Sequence, residues 1–332
     1  MPILYLHVGS HKTGTTAIQS FACQHRIDLL KQGLLYPDYP PVVERTNDAH
    51  HWFAHALAGD ANLPLSPDRV PDLVDHWLRL ATREEADVLV SAEALYRHVL
   101  GKGSYRDRRN AYLERLAETL HGFNVVPILV FRRPDDYIRS LYQERVMRAA
   151  QPYPEFSRFI ASKHAGLRYR ENADLIRDHF PRLRVYTYEE LSDGRRLVQA
   201  FFETLGHNVS ARRSSGVVRK SLTPQETRVK NYANRFLADR DASKRFVKWL
   251  HTGRVRRKIA RAYPRQSYDL WTSHDQRVSF LEARQDDLAA LKREYFPERE
   301  TLFPPLLRGD TSPHVPEVPD KVRRMVDKYF AS

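Results

Sequence analysis

Residues 7–16 read HVGSHKTGTT: Gly9 and Gly14 bracket Lys12, and Thr13, Thr15 and Thr16 stand beside the second glycine. These are the parts of an anion cradle. Glycine admits close backbone approach, threonine adds hydroxyl donors and lysine adds charge. The run lies between an apolar stretch, ILYLHV (3–8), and an amphipathic stretch from residue 15. The cradle is therefore expected between a strand and a helix, whose first N–H groups and dipole favour negative charge. In the Mg²⁺-dependent nucleotide loop G-x-x-x-x-G-K-[ST], the lysine follows the second glycine and reaches the terminal phosphates from the helix. Lys12 precedes that glycine and would meet its ligand from a different side. His11 is placed to touch the same ligand, whereas His7, in the strand, is expected to be packed.

A second cluster is FRRPDDYIRSLYQE (131–144). Arg132 ends an apolar run, Pro134 can start a helix, and Ser140 falls on the second turn of that helix, on the same face as Asp136. An arginine at a strand end and a hydroxyl on the next helix can converge on one anion. The position after ILVF (128–131), where a carboxylate would hold Mg²⁺, is occupied by Arg132 and Arg133. Glu93, in DVLVSAEALY (87–96), lies two residues past another apolar run. Ligand crevices of open parallel sheets lie at the carboxyl ends of strands, so Glu93 is expected to face the glycine loop and serve as a general base. Its competing role is to help start a helix capped by Ser91. His51 and His55 in DAHHWFAHAL (48–57) form an i,i+4 pair, but the motif lacks the glutamate of H-E-x-x-H and a third ligand. His50, His51 and His55 are read as helix-face residues, with His51 the alternative base.

The two clusters together resemble the sulfotransferases that use 3′-phosphoadenosine 5′-phosphosulfate (PAPS). KTGTT (12–16) is similar to the family's 5′-phosphosulfate loop. Arg132, two residues before a proline, with Ser140 eight residues beyond, is similar to its 3′-phosphate segment. The resemblance is greatest to bacterial carbohydrate-type members, in which a glutamate in an "SE" stretch like that of Glu93 is the base. It implies that Lys12, Thr13, Gly14, Thr15, Thr16, Arg132 and Ser140 bind PAPS, with His11 added from its place beside the loop. Lys12 and Glu93 would be catalytic, the product adenosine 3′,5′-bisphosphate, and no catalytic metal required. The implied acceptor is a hydroxyl, of a saccharide or glycolipid.

The elements that must position these residues are legible as alternating patterns. ILYLHV (3–8), DVLVS (87–91), VVPILVF (125–131) and LRVYTY (183–188) read as buried strands, with Pro127 a caution because proline removes a ladder donor. Helices are expected over 15–31, 69–84, 107–121, 135–149, 169–179 and 194–205. Beyond 207 helical patterns dominate, over 223–240, 275–296 and 320–330. The expectation is an α/β fold of three layers: a central, mostly parallel sheet, a P-loop-like phosphosulfate loop and a helical C-terminal extension. The core would span 1–206 and the extension 207–332, joined through the basic segment 206–221, whose VVRKS (217–221) is placed to close over a nucleotide.

The 332 residues carry 54 Lys+Arg against 41 Asp+Glu, a net charge of +13, which favours anionic partners. A P-loop kinase or NTPase and a basic nucleic-acid-binding protein are the competing classes. The first would need a Mg²⁺ carboxylate and the second a continuous basic groove. The motifs favour neither, so nucleic acid is not the expected partner. The cations of GRVRRKIARAYPR (253–265) read as spread around a helix, solvated or in contact with an anionic substrate or membrane. A single cysteine, Cys23, no apolar run of 18 residues and no leader pattern at the start lead to the expectation of a cytoplasmic protein. Trp52, Trp77, Trp249 and Trp271 are candidates for stacking on a sugar or for core packing.

Overall fold

The computed structural model describes residues 1–10, 13–162, 164–192, 196–209, 221–264, 267–310 and 312–331. In chain order, β1 (Ile3–His7) leads to α1 (Thr15–Gln24), α2 (Arg26–Leu30), β2 (Leu34–Leu35), α3 (His51–Leu57) and α4 (Val70–Arg83). Then come β3 (Asp87–Ser91), α5 (Ala94–Arg97), α6 (Tyr105–Thr119), β4 (Asn124–Phe131), α7 (Pro134–Arg148), α8 (Phe156–Ile160) and α9 (Tyr169–His179). β5 (Arg184–Thr187) precedes α10 (Tyr188–Ser192), α11 (Leu197–Thr204), α12 (Pro224–Ala233) and α13 (Arg240–Leu250). The last helices are α14 (Gly253–Ala262), α15 (His274–Glu282), α16 (Gln285–Tyr295) and α17 (Asp320–Phe330).

The architecture is α/β. One all-parallel sheet of five strands has the order β2-β3-β1-β4-β5, so β1 is central and the loop after it lies between the ends of β3 and β4. Four of the five strands, β1, β3, β4 and β5, are the expected apolar runs, and their side chains alternate between two covered faces. Tyr5, Leu89, Val126, Ile128 and Val130 pack against Ile18, Phe21 and Ala22 of α1 and Phe201 and Phe202 of α11. The alternate residue Phe131 stacks on Tyr169 of α9, with ring centroids 4.3 Å apart. Burying a side chain of this size contributes about 1.5–3 kcal/mol, which explains why the sheet core is aromatic and aliphatic throughout.

Pro127 sits in an interior strand without breaking it. Ile128 and Val130 turn their carbonyls to the β1 side, where they accept from Val8 and Ser10. By alternation the missing N–H of Pro127 faces the β5 side, and β5 begins only opposite Ile128. The helix expected over 15–31 is two helices, because the chain leaves helical geometry at His25 (φ −113°, ψ 25°). The stretch 275–296 is also two, α15 and α16, and the edge strand β2 has no counterpart in the expected elements.

Contacts divide the chain into two compact units: Met1–Arg133, His164–Val218 and Asp286–Phe303 form one, and Pro134–Lys163, Arg219–Gln285 and Pro304–Ser332 the other. This differs from a single cut near 207. Residues 134–163 group with the C-terminal helices because α7 packs on α12, α13 and α15, and residues 286–303 return to the sheet-bearing unit. There, Asp287 Oδ2 accepts from the Tyr169 N–H at 3.2 Å, and Arg299 pairs with Glu190 at 2.5 Å.

The second unit has a core of its own around the fully buried Trp271, which meets Phe156 edge-on at 5.0 Å. A buried ion network ties the first turn of α7 to α15: Arg277 bonds Asp135 at 2.5 Å and Asp136 at 3.2 Å. Lys230, fully buried, donates to the carbonyls of Val146 at 3.3 Å and Ala149 at 2.8 Å, closing the C-terminal end of α7. On α14 the cations are not spread evenly. Arg256 turns inward to Glu226 at 2.7 Å, while Arg254, Arg257, Lys258 and Arg261 form one exposed stripe opposite the buried Val255 and Ile259.

Candidate active site

The loop after β1 is held from below. Beyond the end of β1, Val8 N–H and Ser10 N–H still donate to β4, at 2.9 Å to Ile128 O and 3.1 Å to Val130 O. The Ser10 hydroxyl adds a second bond to Val130 O at 2.9 Å, and the buried Thr13 hydroxyl donates to Ser10 O at 2.8 Å. The Thr13 hydroxyl thus braces the loop. Gly14 is the N-cap of α1 at φ 77°, ψ 12°, a left-handed conformation that glycine takes without strain. It has a second reason to be glycine: a Cβ there would stand 2.0 Å from Leu197 Cδ2. Gly9 is equally confined, since its Cβ would meet Thr15 Cγ2 at 2.8 Å and Thr13 Oγ1 at 2.9 Å. Among the described residues the first turn of α1 has no side-chain cap, and its own sequence has no acidic residue to compete with a bound anion. Thr16 is exposed at this end. His11 and Lys12, expected to touch the ligand here, lie outside the described residues, as does 217–220 of the basic VVRKS segment.

Glu93 stands directly across from this helix start. It is part-buried, at the N-cap position of α5, and its carboxylate accepts a hydrogen bond from the Thr15 hydroxyl. The expected cap, Ser91, is used elsewhere. Gln19 Nε2 donates to Ser91 O at 3.3 Å and to Ser91 Oγ at 3.1 Å; the carbonyl contact fixes which end of the amide faces Ser91. The serine hydroxyl and His7 Nδ1 share a hydrogen bond of 2.9 Å. His7 is fully buried against Phe201, ring centroids 4.6 Å apart, and its Nε2 has no hydrogen-bond partner among the described residues. Burial pushes its pKa down to about 4, opposed by the negative charge of Glu93, so the ring is neutral. His7 is packed, as its place in the strand suggested, and it is also a neighbour of the candidate base.

The end of β3 is stapled from the other side by His50. Its N–H donates to Ser91 O at 2.9 Å while its Nδ1 accepts from Ser91 N–H at 3.0 Å. Nε2 therefore carries the hydrogen and donates to Pro37 O at 3.1 Å. His50 is not on a helix face. It is a fully buried neutral ring whose pKa burial lowers to about 3. The staple brings the first turn of α3, with the part-buried His51, to the carboxyl end of β3. His55 does not pair with His51, whose ring is 6.4 Å away; its Nδ1 instead meets His98 Nε2 at 2.8 Å. Among the described residues, no group of three or more His, Cys, Asp or Glu side chains is placed to hold a metal ion.

Arg132 follows β4, and its guanidinium lies over the ring of Tyr188, 5.0 Å from the centroid. The same ring has Cε2 3.7 Å from where a Cβ on Gly14 would stand. Tyr188 therefore lies between the two motif segments, one ring's breadth from each, and sequence spacing had singled out neither it nor Leu197. The strand end is fixed by its main chain: Tyr169 Oη donates to Arg132 O at 2.7 Å, and Arg133 N–H donates to Glu189 Oε1 at 3.0 Å. Ser140, 8% exposed, is on α7 of the second unit. Trp77 and Trp271 are fully buried core residues.

The sheet-bearing unit thus gathers an uncapped helix start, two confined glycines, an arginine on an aromatic ring and a carboxylate at the helix start. Such a set can hold an anionic group and receive a proton beside it. Set against family models, curated proteins and solved structures, the chain matches none of them.

Proposed function

We propose that the chain is a PAPS-dependent sulfotransferase acting on a hydroxyl of a saccharide or glycolipid. In this reading the fold is a three-layer α/β core and residues 9–14 are a P-loop-like cradle. The observation that carries it is the Thr15–Glu93 hydrogen bond, which joins a carboxylate to the start of α1 across 78 residues of sequence. The residues fit an anionic group: the start of α1 is uncapped, and Gly14 takes a left-handed conformation that other residues adopt at a cost.

When bound, PAPS supplies a sulfuryl group and a bisphosphate leaving group. The acceptor oxygen forms a bond to sulfur as the sulfur–oxygen bond to the 5′-phosphate breaks, and Glu93 takes the acceptor's proton. Lys12 and the N–H groups at the start of α1 stabilise the charge left on the phosphate, where one well-placed donor is worth about 10²–10³ in rate. Thr16 offers a hydroxyl to the 5′ side, and His11 is assigned to the same ligand from its place in the sequence. Arg132, held over Tyr188, is assigned to the 3′-phosphate, and Ser140 joins it on the resemblance.

Thermal-shift titration with adenosine 3′,5′-bisphosphate beside Mg-ATP tests the reading. A ligand that binds only the native state raises its melting temperature. The bisphosphate is expected to give the larger shift; no shift at millimolar concentration, or a larger one with Mg-ATP, overturns the assignment.

A further inference from the structure

In the second unit, α14 packs on α12, α13 and α17 through Val255 and Ile259, so its apolar side is spent inside the fold. The opposite side carries Arg254, Arg257, Lys258 and Arg261, all exposed. Their i, i+3, i+4, i+7 spacing confines them to an arc of about 100° on one helix face. None of the four is in an ion pair among the described residues, and α14 contains no carboxylate to neutralise them. The helices packed on it extend the excess. Arg245 and Lys248 of α13 and Lys321, Arg324 and Lys328 of α17 are also exposed and outside any ion pair among the described residues. Lys244 differs, being paired with Asp241 at 2.8 Å. So many cations without partners repel one another, a cost that a multivalent anion removes.

The same unit carries an aromatic seam between α13 and α17. Phe246 and Trp249 of α13 meet Tyr329 and Phe330 of α17, with Trp249 and Tyr329 centroids 4.7 Å apart. Phe236, which follows α12, extends the seam to solvent: it is 48% exposed and stands 5.4 Å from the Phe330 ring. Exposed aromatic surface on a unit rich in exposed lysine and arginine suits the boundary between lipid headgroups and water.

We propose that this face of the second unit docks on a membrane surface of anionic lipid headgroups, with the α14 stripe supplying the charge and Phe236 reaching the interface. Each basic side chain near such a surface adds to the attraction, which falls off within a Debye length. The contact is therefore electrostatic and reversible. It does not depend on the sulfotransferase reading.

Vesicle co-sedimentation of the full chain tests it, using phosphatidylcholine alone and phosphatidylcholine with about a third phosphatidylglycerol. Expected are binding to the anionic vesicles only, loss of binding at high salt, and at least tenfold weaker binding when Arg254, Arg257, Lys258 and Arg261 are all changed to Ser. Phe236→Ser is expected to weaken binding severalfold. If the quadruple variant has no melting transition, Arg257→Ser with Lys258→Ser reads the same loss at smaller size. Equal binding to neutral vesicles, binding unchanged by the charge variants, or no vesicle binding overturns the proposal. Tighter binding to a short DNA duplex than to the anionic vesicles would assign the face to nucleic acid instead.

Discussion

The carboxylate of Glu93 accepts the Thr15 hydroxyl at the first residue of α1, so the candidate base and the anion cradle share one hydrogen bond. Glu93→Gln preserves an acceptor for that hydroxyl and removes the ability to take a proton. Turnover of the variant is expected to fall by ~10²–10⁴ while the Kd for adenosine 3′,5′-bisphosphate stays within about twofold. Isothermal titration beside a sulfuryl-transfer assay separates the two effects. Near-normal turnover would move the base to His51, which the His50 staple brings to the same strand end. On the proposed sulfotransferase reading, Lys12→Ala is expected to lower turnover by ~10²–10³, the loss of one donor to the leaving phosphate. Glu93 and its strand end were legible as residue types at a strand-to-helix junction. The Gln19–Ser91–His7 network around them was not, because none of its members carries a spacing signal.

At the scale of elements, the junction between β1 and α1 depends on a glycine for two separate reasons. Gly14 is at φ 77°, and a Cβ there would meet Leu197 Cδ2 of α11 at 2.0 Å. Gly14→Ala therefore combines a left-handed backbone cost with a steric clash, and is expected to destabilise the protein by about 1–3 kcal/mol. Adding Leu197→Ala removes the clash but not the backbone cost. The double variant should thus melt above the value expected if the two single effects simply added, as a double-mutant cycle would measure. Strict additivity would show that α11 does not press on the loop. The glycine's turn was readable from HVGSHKTGTT alone; its contact with α11 joins residues far apart in sequence and had no local signature.

Across the whole molecule, two neutral histidines buried in the sheet-bearing unit link stability to pH. Burial lowers His7 from 6.5 to about 4 and His50 from 6.5 to about 3. Between those values and 6.5, the unfolded chain binds protons that the folded chain does not. Stability from these rings is complete above the unfolded pKa and is lost as pH falls below it. Each should account for about 2 kcal/mol of loss by pH 5, taking 1.36 kcal/mol per unit of pKa difference. Urea unfolding at pH 7.5 and pH 5 checks this. His50→Gln keeps one donor and one acceptor but no titrating ring, so its loss between the two pH values should be smaller by about that amount. An equal loss in both proteins would place the pH dependence on other groups.

The α/β class, the four principal strands and the strand-to-helix setting of Gly14 and Arg132 are written in local residue patterns. Buried parallel strands are continuous apolar runs, and turn and cap residues act over a few neighbours. Tertiary structure alone decided which side chains meet. Ser91 turns from helix cap to the hub of His7, Gln19 and His50; Tyr188 lies between Gly14 and Arg132; and α7 groups with the C-terminal helices. These contacts span tens to more than a hundred residues. They arise from sheet order and packing, and a one-dimensional pattern of polarity carries no record of either.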